Sequence, residues 1–203
     1  MKKFLAIDCA GEELLVGCFN GKKYQETRLV ASGTENLLPT IDKVLKKSKV
    51  GIADIEVVCV GVGPGSWTGA RVCVVTAYGL FEGNKNLKFS TFNSFDLISY
   101  NEARADKVLK LVKAYANFVY VQTSDGEIKA ITKDELNSTF SEFTLVGVSE
   151  VVEGTIVVAA DLEAVATRKV MAEEFVDIDL IEPMYLRLSQ AEYQREKMLK
   201  GGK

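Results

Sequence analysis

The sequence predicts an α/β protein of two lobes on a duplicated plan, the second lobe reduced. Three observations lead there. The first hundred residues alternate between strand-like runs and one stripe of 3.6-residue period, in the order strand–strand–strand–helix–strand–helix–strand. The second half starts over with three short strands and continues strand–helix. Finally, 203 residues, 47% apolar and 26% charged, are enough for one domain or two small lobes with a buried core, and argue against a disordered chain.

Phe4 to Ile7 and Leu14 to Phe19 are apolar runs separated by the loop Cys9-Ala10-Gly11-Glu12. Asn20-Gly21 predicts a type I′ hairpin turn into a third strand, Lys22 to Leu29. From Thr34 to Lys49 the period changes: Leu37, Leu38, Ile41, Val44 and Leu45 make one helical stripe, with Ser32 or Thr34 as cap and Pro39 in the first turn. Lysines 46, 47 and 49 suit the negative end of that helix. Ile55 to Val62 lacks alternation, as a strand covered on both faces does, and a glycine-rich turn carries it into a helix over Thr68 to Glu82. Leu87 to Phe92 is the next strand and Ser94 to Ala105 a weaker helix.

Beyond a boundary near 101–106, strands are expected at Val108 to Ala114, Phe118 to Thr123, Glu127 to Thr132, Phe143 to Val148 and Thr155 to Ala160. A short helical segment begins at Lys133, a longer helix runs from Leu162 to Phe175, and a charged helix from Ser189 to Lys200 closes the chain. The domain reading is therefore a first lobe over 1–101, a smaller lobe over 102–188, and a terminal helix over 189–203 packing near the lobe junction.

Composition removes several classes of function. There is no histidine, which excludes Ser-His-Asp and Cys-His mechanisms and histidine-ligated metals. Cys9, Cys18, Cys59 and Cys73 form no C-x-x-C pair and sit among aliphatic residues, so they read as buried thiols in a reducing compartment. A formal charge of −3 excludes whole-surface attraction to nucleic acid. No apolar run is long enough to span a bilayer, and Asp8 interrupts any signal-peptide core after Met1-Lys2-Lys3, so a cytoplasmic chain is expected.

Two candidate sites follow. Asp8 ends the first strand, where a carboxylate can hold a metal–phosphate through water or simply bind its own loop amides. Gly61 to Arg71 (GVGPGSWTGAR) is a strand–turn–helix junction in which Gly63, Gly65 and Ser66 are candidates for cradling an anion. It is neither a P-loop nor a G-x-S-x-G elbow, and a tight turn capped by Ser66 or Thr68 explains most of it. The helix that follows carries only Arg71 and Glu82 as charges. If Val74, Ala77, Tyr78 and Phe81 face the core, then Val72, Val75, Thr76 and Gly79 face outward, and Leu37 and Ile41 extend that surface from the preceding helix. The lysines of 43–49 and the basic residues of 195–203 read as solvated helix faces.

Four blocks together resemble one family. Ala6-Ile7-Asp8, Leu37-Leu38-Pro39 with Ile41-Asp42, Gly63-Pro64-Gly65-Ser66-Trp67-Thr68-Gly69-Ala70-Arg71, and Glu182-Pro183-Met184-Tyr185-Leu186-Arg187 are similar, in this order, to the TsaB (YeaZ) family. The resemblance implies an actin/Hsp70-like, RNase H-like duplicated fold. It also implies a scaffold and dimerisation subunit of the bacterial complex that adds threonylcarbamoyl to the adenosine beside the tRNA anticodon. Its partners would be a TsaD-like catalytic homologue and a TsaE-like ATPase. A homodimer would form in isolation, tRNA would be met indirectly, and no membrane would be involved. No tightly bound cofactor is implied, ATP entering only at a complex interface, and no catalytic or metal-ligating residue is implied.

The sequence also departs from the family pattern. Cys9-Ala10 stands where Thr-Ser is usual, Ser32-Gly33 where His-Ser is common, and Lys113-Ala114-Tyr115 where Asp-Ala-Arg is common. The first of these removes hydroxyls that could meet a phosphate, and all three count against nucleotide binding or catalysis by the chain alone. The competing reading is a small ATP-dependent phospho- or carbamoyl-transferase using Asp8 and the loop from Gly63 to Gly69. A glycoprotease is excluded by the lack of a nucleophile–base pair or metal ligands.

Overall fold

The computed structural model describes residues 1–30, 34–101 and 107–187. Two five-stranded sheets repeat one plan. The first has the order β3-β2-β1-β4-β5, from β1 (Phe4–Asp8), β2 (Glu13–Phe19), β3 (Tyr24–Val30), β4 (Val57–Gly61) and β5 (Lys88–Phe92). The second has the order β10-β9-β6-β7-β8, from β6 (Val108–Lys113), β7 (Phe118–Thr123), β8 (Ile128–Thr132), β9 (Thr144–Gly147) and β10 (Ile156–Val157). In each, three antiparallel strands lead and the first of them pairs in parallel with the fourth: Phe4 faces Val57, and Val108 faces Thr144. The duplication expected from the strand pattern is thus the architecture itself.

Helices α1 (Leu37–Ser48) and α2 (Trp67–Gly83) cover one face of the first sheet, α1 over β2 and β3, α2 over β4 and β1. The other face is covered by α4 (Leu162–Met171), whose Leu162, Val165, Ala166 and Val170 pack on Phe4, Ala6, Val57 and Cys59. This double cover explains why β1 and β4 are buried at every position and show no alternation. It also corrects the expected second lobe of 102–188, because α4 lies within that range yet packs on the first sheet. The second sheet is backed on one face by α3 (Lys133–Thr139) through Leu136, while Phe95, Ile98 and Leu186 pack on the other.

Other departures are local. The β2–β3 connection is a four-residue loop, not a two-residue turn: Phe19 pairs with Tyr24, and Asn20 Oδ1 accepts the amides of Lys22 and Lys23. An asparagine that binds its own downstream amides competes successfully with the tighter turn. Residues 94–101 form no helix. Asn93 Oδ1 accepts from Phe95 and Asp96, one turn follows, and Ile98 then bridges to Ala160, so tertiary pairing overrides the weak helical pattern. The strand expected over 155–160 shortens to Ile156–Val157, and α4 ends at Met171 rather than Phe175. Thr34 opens a 3-10 turn rather than capping α1; Ser32 and the helix expected over 189–200 lie outside the described residues. Among the described residues no helix is long and apolar enough to cross a membrane.

Candidate functional site

The loop after β4 and the loop after β1 pack directly on one another. Ser66 caps α2, its Oγ accepting from the Gly69 amide at 3.1 Å, and its own amide donates to the Ala10 carbonyl at 2.7 Å. Gly65 and Gly69 permit this approach. A Cβ on Gly65 would lie 2.2 Å from the Ala10 oxygen, and one on Gly69 would lie 1.7 Å from the Cys9 oxygen. Two carbonyl oxygens therefore face the N-terminal turn of α2, where an anion cradle needs unpaired amides. The Ser66, Gly69 and Ala70 amides are already engaged.

Asp8 lies beside this junction and is 2% exposed. Its Oδ1 accepts the Ala10 amide at 3.3 Å. Burial pushes its carboxyl up to about 6, only partly offset by the amides of Ala10 and Gly11. One residue on, the Cys9 and Cys73 sulfurs are 3.0 Å apart, and Cys9 Sγ donates to the Gly69 carbonyl. The bond with Cys9 and burial push the Cys73 thiol well up, so Cys73 is held as a buried thiol packed on Cys9 and not as a nucleophile. Among the described residues no group of three or more acidic or thiol side chains could hold a metal.

The structure brings together two blocks that the sequence keeps 114 positions apart. Trp67 and Tyr185 stack with ring centroids 4.1 Å apart, and Arg71 Nε donates to the Tyr185 hydroxyl at 2.7 Å. The Met184 amide donates to the Val62 carbonyl at 2.7 Å, Leu186 enters the second-lobe core, and the Arg187 guanidinium sits 3.4 Å from the Phe118 ring centre. The segment 184–187 thus straps one lobe to the other. Lys113 paired with Glu12, and Arg28 donating to the Ala160 carbonyl at 2.6 Å, add further ties between the halves. In the sequence the Glu-Pro-Met-Tyr-Leu-Arg block stands out only through the family resemblance, and nothing there reads it as a strap or pairs it with Trp67 and Arg71.

On α2 the outer stripe is apolar. Val75 is 67% exposed, a Cβ on Gly79 would have nothing within 4 Å, and Val72 and Thr76 are half-buried beside them. Tyr78 and Phe81, expected in the core, are only half-buried, and Cys73 and Ala70 take the sheet-facing positions. Leu37 and Ile41 are corrected outright. Both are buried, at 1% and 5% exposure, because the apolar stripe of an amphipathic helix goes to the sheet. The exposed apolar residue of α1 is Leu38, at 63%. Beside Gly79 opens a groove of about 700 Å³ lined by Ile52, Leu80, Gly83 and Leu87, with Lys2 and Glu56 among its polar lining.

Comparison with known proteins agrees with this fold. The fold superposes on YeaZ from Pseudomonas aeruginosa with a TM-score of 0.75 at 19% identity, covering 92% of this chain and 100% of that one. A second Pseudomonas aeruginosa structure, described as similar to the peptidase YEAZ, gives 0.74 at 19% identity, covering 92% of this chain and 100% of that one. The tRNA threonylcarbamoyladenosine biosynthesis protein TsaB of Haemophilus influenzae is 28% identical over 143 residues, 68% of this chain and 58% of that protein. Its namesake from Escherichia coli is 30% identical over 122 residues, 58% of this chain and 53% of that protein. The matches thus span a little over half the length of these curated relatives. The family model described as TsaD, tRNA N6-adenosine threonylcarbamoyltransferase, matches residues 31–144. The chain belongs to this family, and the curated relatives it resembles are TsaB proteins.

Asp8 gives the chain a pH signature. An unfolded aspartate titrates near 3.8, and the native one near 6. Between these values the native state holds a proton that the unfolded chain has lost, so this carboxyl lowers stability progressively as pH rises from about 4 to 6. Asp8→Asn removes that penalty. It is expected to raise stability at pH 8 by about 2–3 kcal/mol, or roughly 5–10 °C in Tm, and to leave stability at pH 4 little changed. Thermal unfolding at the two pH values measures it; equal melting shifts at both would contradict the assignment.

Proposed function

We propose that this chain is a non-catalytic subunit of the machinery that forms threonylcarbamoyladenosine in tRNA, and that it works by pairing a TsaD-like catalytic homologue. The observation that carries this reading is the outer stripe of α2. Val75 is exposed and Gly79 uncrowded on a helix with only two charged residues, and Leu38 stands out from α1 on the same side of the sheet. Small and apolar side chains let another helix approach closely. A duplicated homologue offers a matching pair of helices, as does a second copy of this chain. One surface cannot hold both, so homodimer and heterodimer are mutually exclusive. A TsaE-like ATPase then joins the assembled pair, and ATP is met at the complex interface only.

Two features support the absence of catalysis by the chain alone. Carbonyls of Cys9 and Ala10 occupy the approach to the α2 N-terminus, and the thiols beside Asp8 are buried in a chain without histidine. The likeness to structures described with peptidase similarity is at 19% identity and concerns the fold alone. The test is ATP turnover and peptide hydrolysis by the purified chain. Background rates are expected for both; steady ATP turnover that scales with protein and is lost in Asp8→Ala would overturn the proposal in favour of a small transferase.

A further inference from the structure

The tip of the β2–β3 hairpin and the C-terminal end of α1 meet at one corner of the first sheet, and both are rich in lysine. Asn20 makes the junction. Its Nδ2 donates to the Ser48 carbonyl at 2.9 Å, its Oδ1 accepts the amides of Lys22 and Lys23 at 3.0 and 2.9 Å, and its own amide donates to the Lys23 carbonyl at 3.1 Å. One side chain thus fixes Lys22 and Lys23 beside Lys46, Lys47 and Lys49, with Lys43 one turn back on the helix. All six are exposed. Of these six, only Lys46 is ion-paired with a described residue, Asp42 of its own helix. The helix dipole accounts for Lys46 and Lys47 in the last turn, but not for the lysines that the hairpin adds from another element.

We infer that this corner binds the phosphate backbone of a folded RNA. The RNA class, tRNA, rests on the proposed function; the corner itself does not. A chain of formal charge −3 has concentrated at least five unpaired cations on one rigid edge, the electrostatic footprint of phosphate recognition. The corner has no exposed aromatic side chain. It therefore offers bases nothing to stack on and a lipid interface no aromatic anchor, and is suited to the outside of a duplex stem. This revises the expectation that tRNA is met only through the partner, and it adds the hairpin to helix lysines that read by themselves as a solvated face.

The probe is an unmodified tRNA transcript titrated with the full chain between 50 and 200 mM salt, followed by fluorescence anisotropy. Lys22→Glu with Lys23→Glu, and Lys43→Glu with Lys47→Glu, are each expected to weaken binding about tenfold or more and to flatten the log–log salt dependence by about two. The glutamine versions of the same pairs should show a smaller loss in the same direction. The same reversal at Lys129 and Lys133 in the second lobe should change little. Circular dichroism confirms the fold of each variant. The inference is overturned if the wild-type chain does not bind at 50 mM salt, if the remote pair weakens binding equally, or if the chain binds phosphatidylserine vesicles in place of tRNA. Capture of a TsaD-like subunit, measured on the same variants, separates the two proposals. Failure of capture by every variant and the wild type sinks the proposed function and not the corner. Intact capture with unchanged tRNA binding sinks the corner alone.

Discussion

Val75→Glu should abolish pairing at ordinary working concentrations while the protein folds normally. Val75 is 67% exposed, so nothing in the monomer is uncovered by replacing it, and glutamate is the better helix former. In the pair, the carboxylate lands in the centre of a contact made by Val72, Thr76 and Gly79, with no cation on the stripe except Arg71 one turn away, which the Tyr185 hydroxyl already engages. An unpaired charge buried in an interface costs about 2–5 kcal/mol, which is roughly a 30- to several-thousand-fold rise in Kd. Sedimentation of the variant alone, and titration with a TsaD-like subunit, read the two associations separately. Both should fall together, since both use one surface. Unchanged self-association and unchanged partner binding in a folded variant would remove α2 from the interface.

Gly69→Ala is expected to have the largest effect on the fold itself. The added Cβ would lie 1.7 Å from the Cys9 carbonyl oxygen and 2.6 Å from its carbon, so the obstacle is backbone and no rotamer relieves it. Neither side can yield cheaply. β1 is paired on both edges, and the Ser66 amide ties the Ala10 carbonyl to the helix start. Overpacking against a held backbone should cost about 3–5 kcal/mol, roughly 6–20 °C in Tm. Gly79→Ala, ten residues along the same helix with nothing within 4 Å, should stabilise by about 0.5–1 kcal/mol. Urea unfolding of the two variants gives the comparison, and similar effects from both would show that the approach of the β1 loop to α2 is not a packing constraint.

These two positions mark where the sequence was legible and where it was not. The duplicated succession of elements was readable because each half opens with three strands, and the double burial of β4 was readable from its missing alternation. The amphipathic stripe of α1 was readable as well, but the pattern does not say whether it meets the sheet or a partner; Leu37 and Ile41, expected on the partner surface, go to the sheet. The composition of α2 showed too few charges for a free helix, yet not which apolar side chains would be left outside; that depends on Gly69 and Cys73 seating the helix on Cys9. What no local pattern carried was long-range: α4 crossing to the first sheet, Tyr185 closing on Trp67, and Asn20 joining the hairpin to α1. Each depends on a partner more than 25 positions away, beyond the reach of periodicity.

The central claim is that this chain acts through a shared helix surface and not through a site of its own. Sedimentation of the purified chain mixed in equal amounts with a TsaD-like subunit tests it most directly. The account predicts that the homodimer gives way to a one-to-one heterodimer, and that Val75→Glu leaves both proteins as separate species. A chain that keeps its own oligomeric state unchanged at every ratio of the TsaD-like subunit, with no heterodimer boundary, would contradict it.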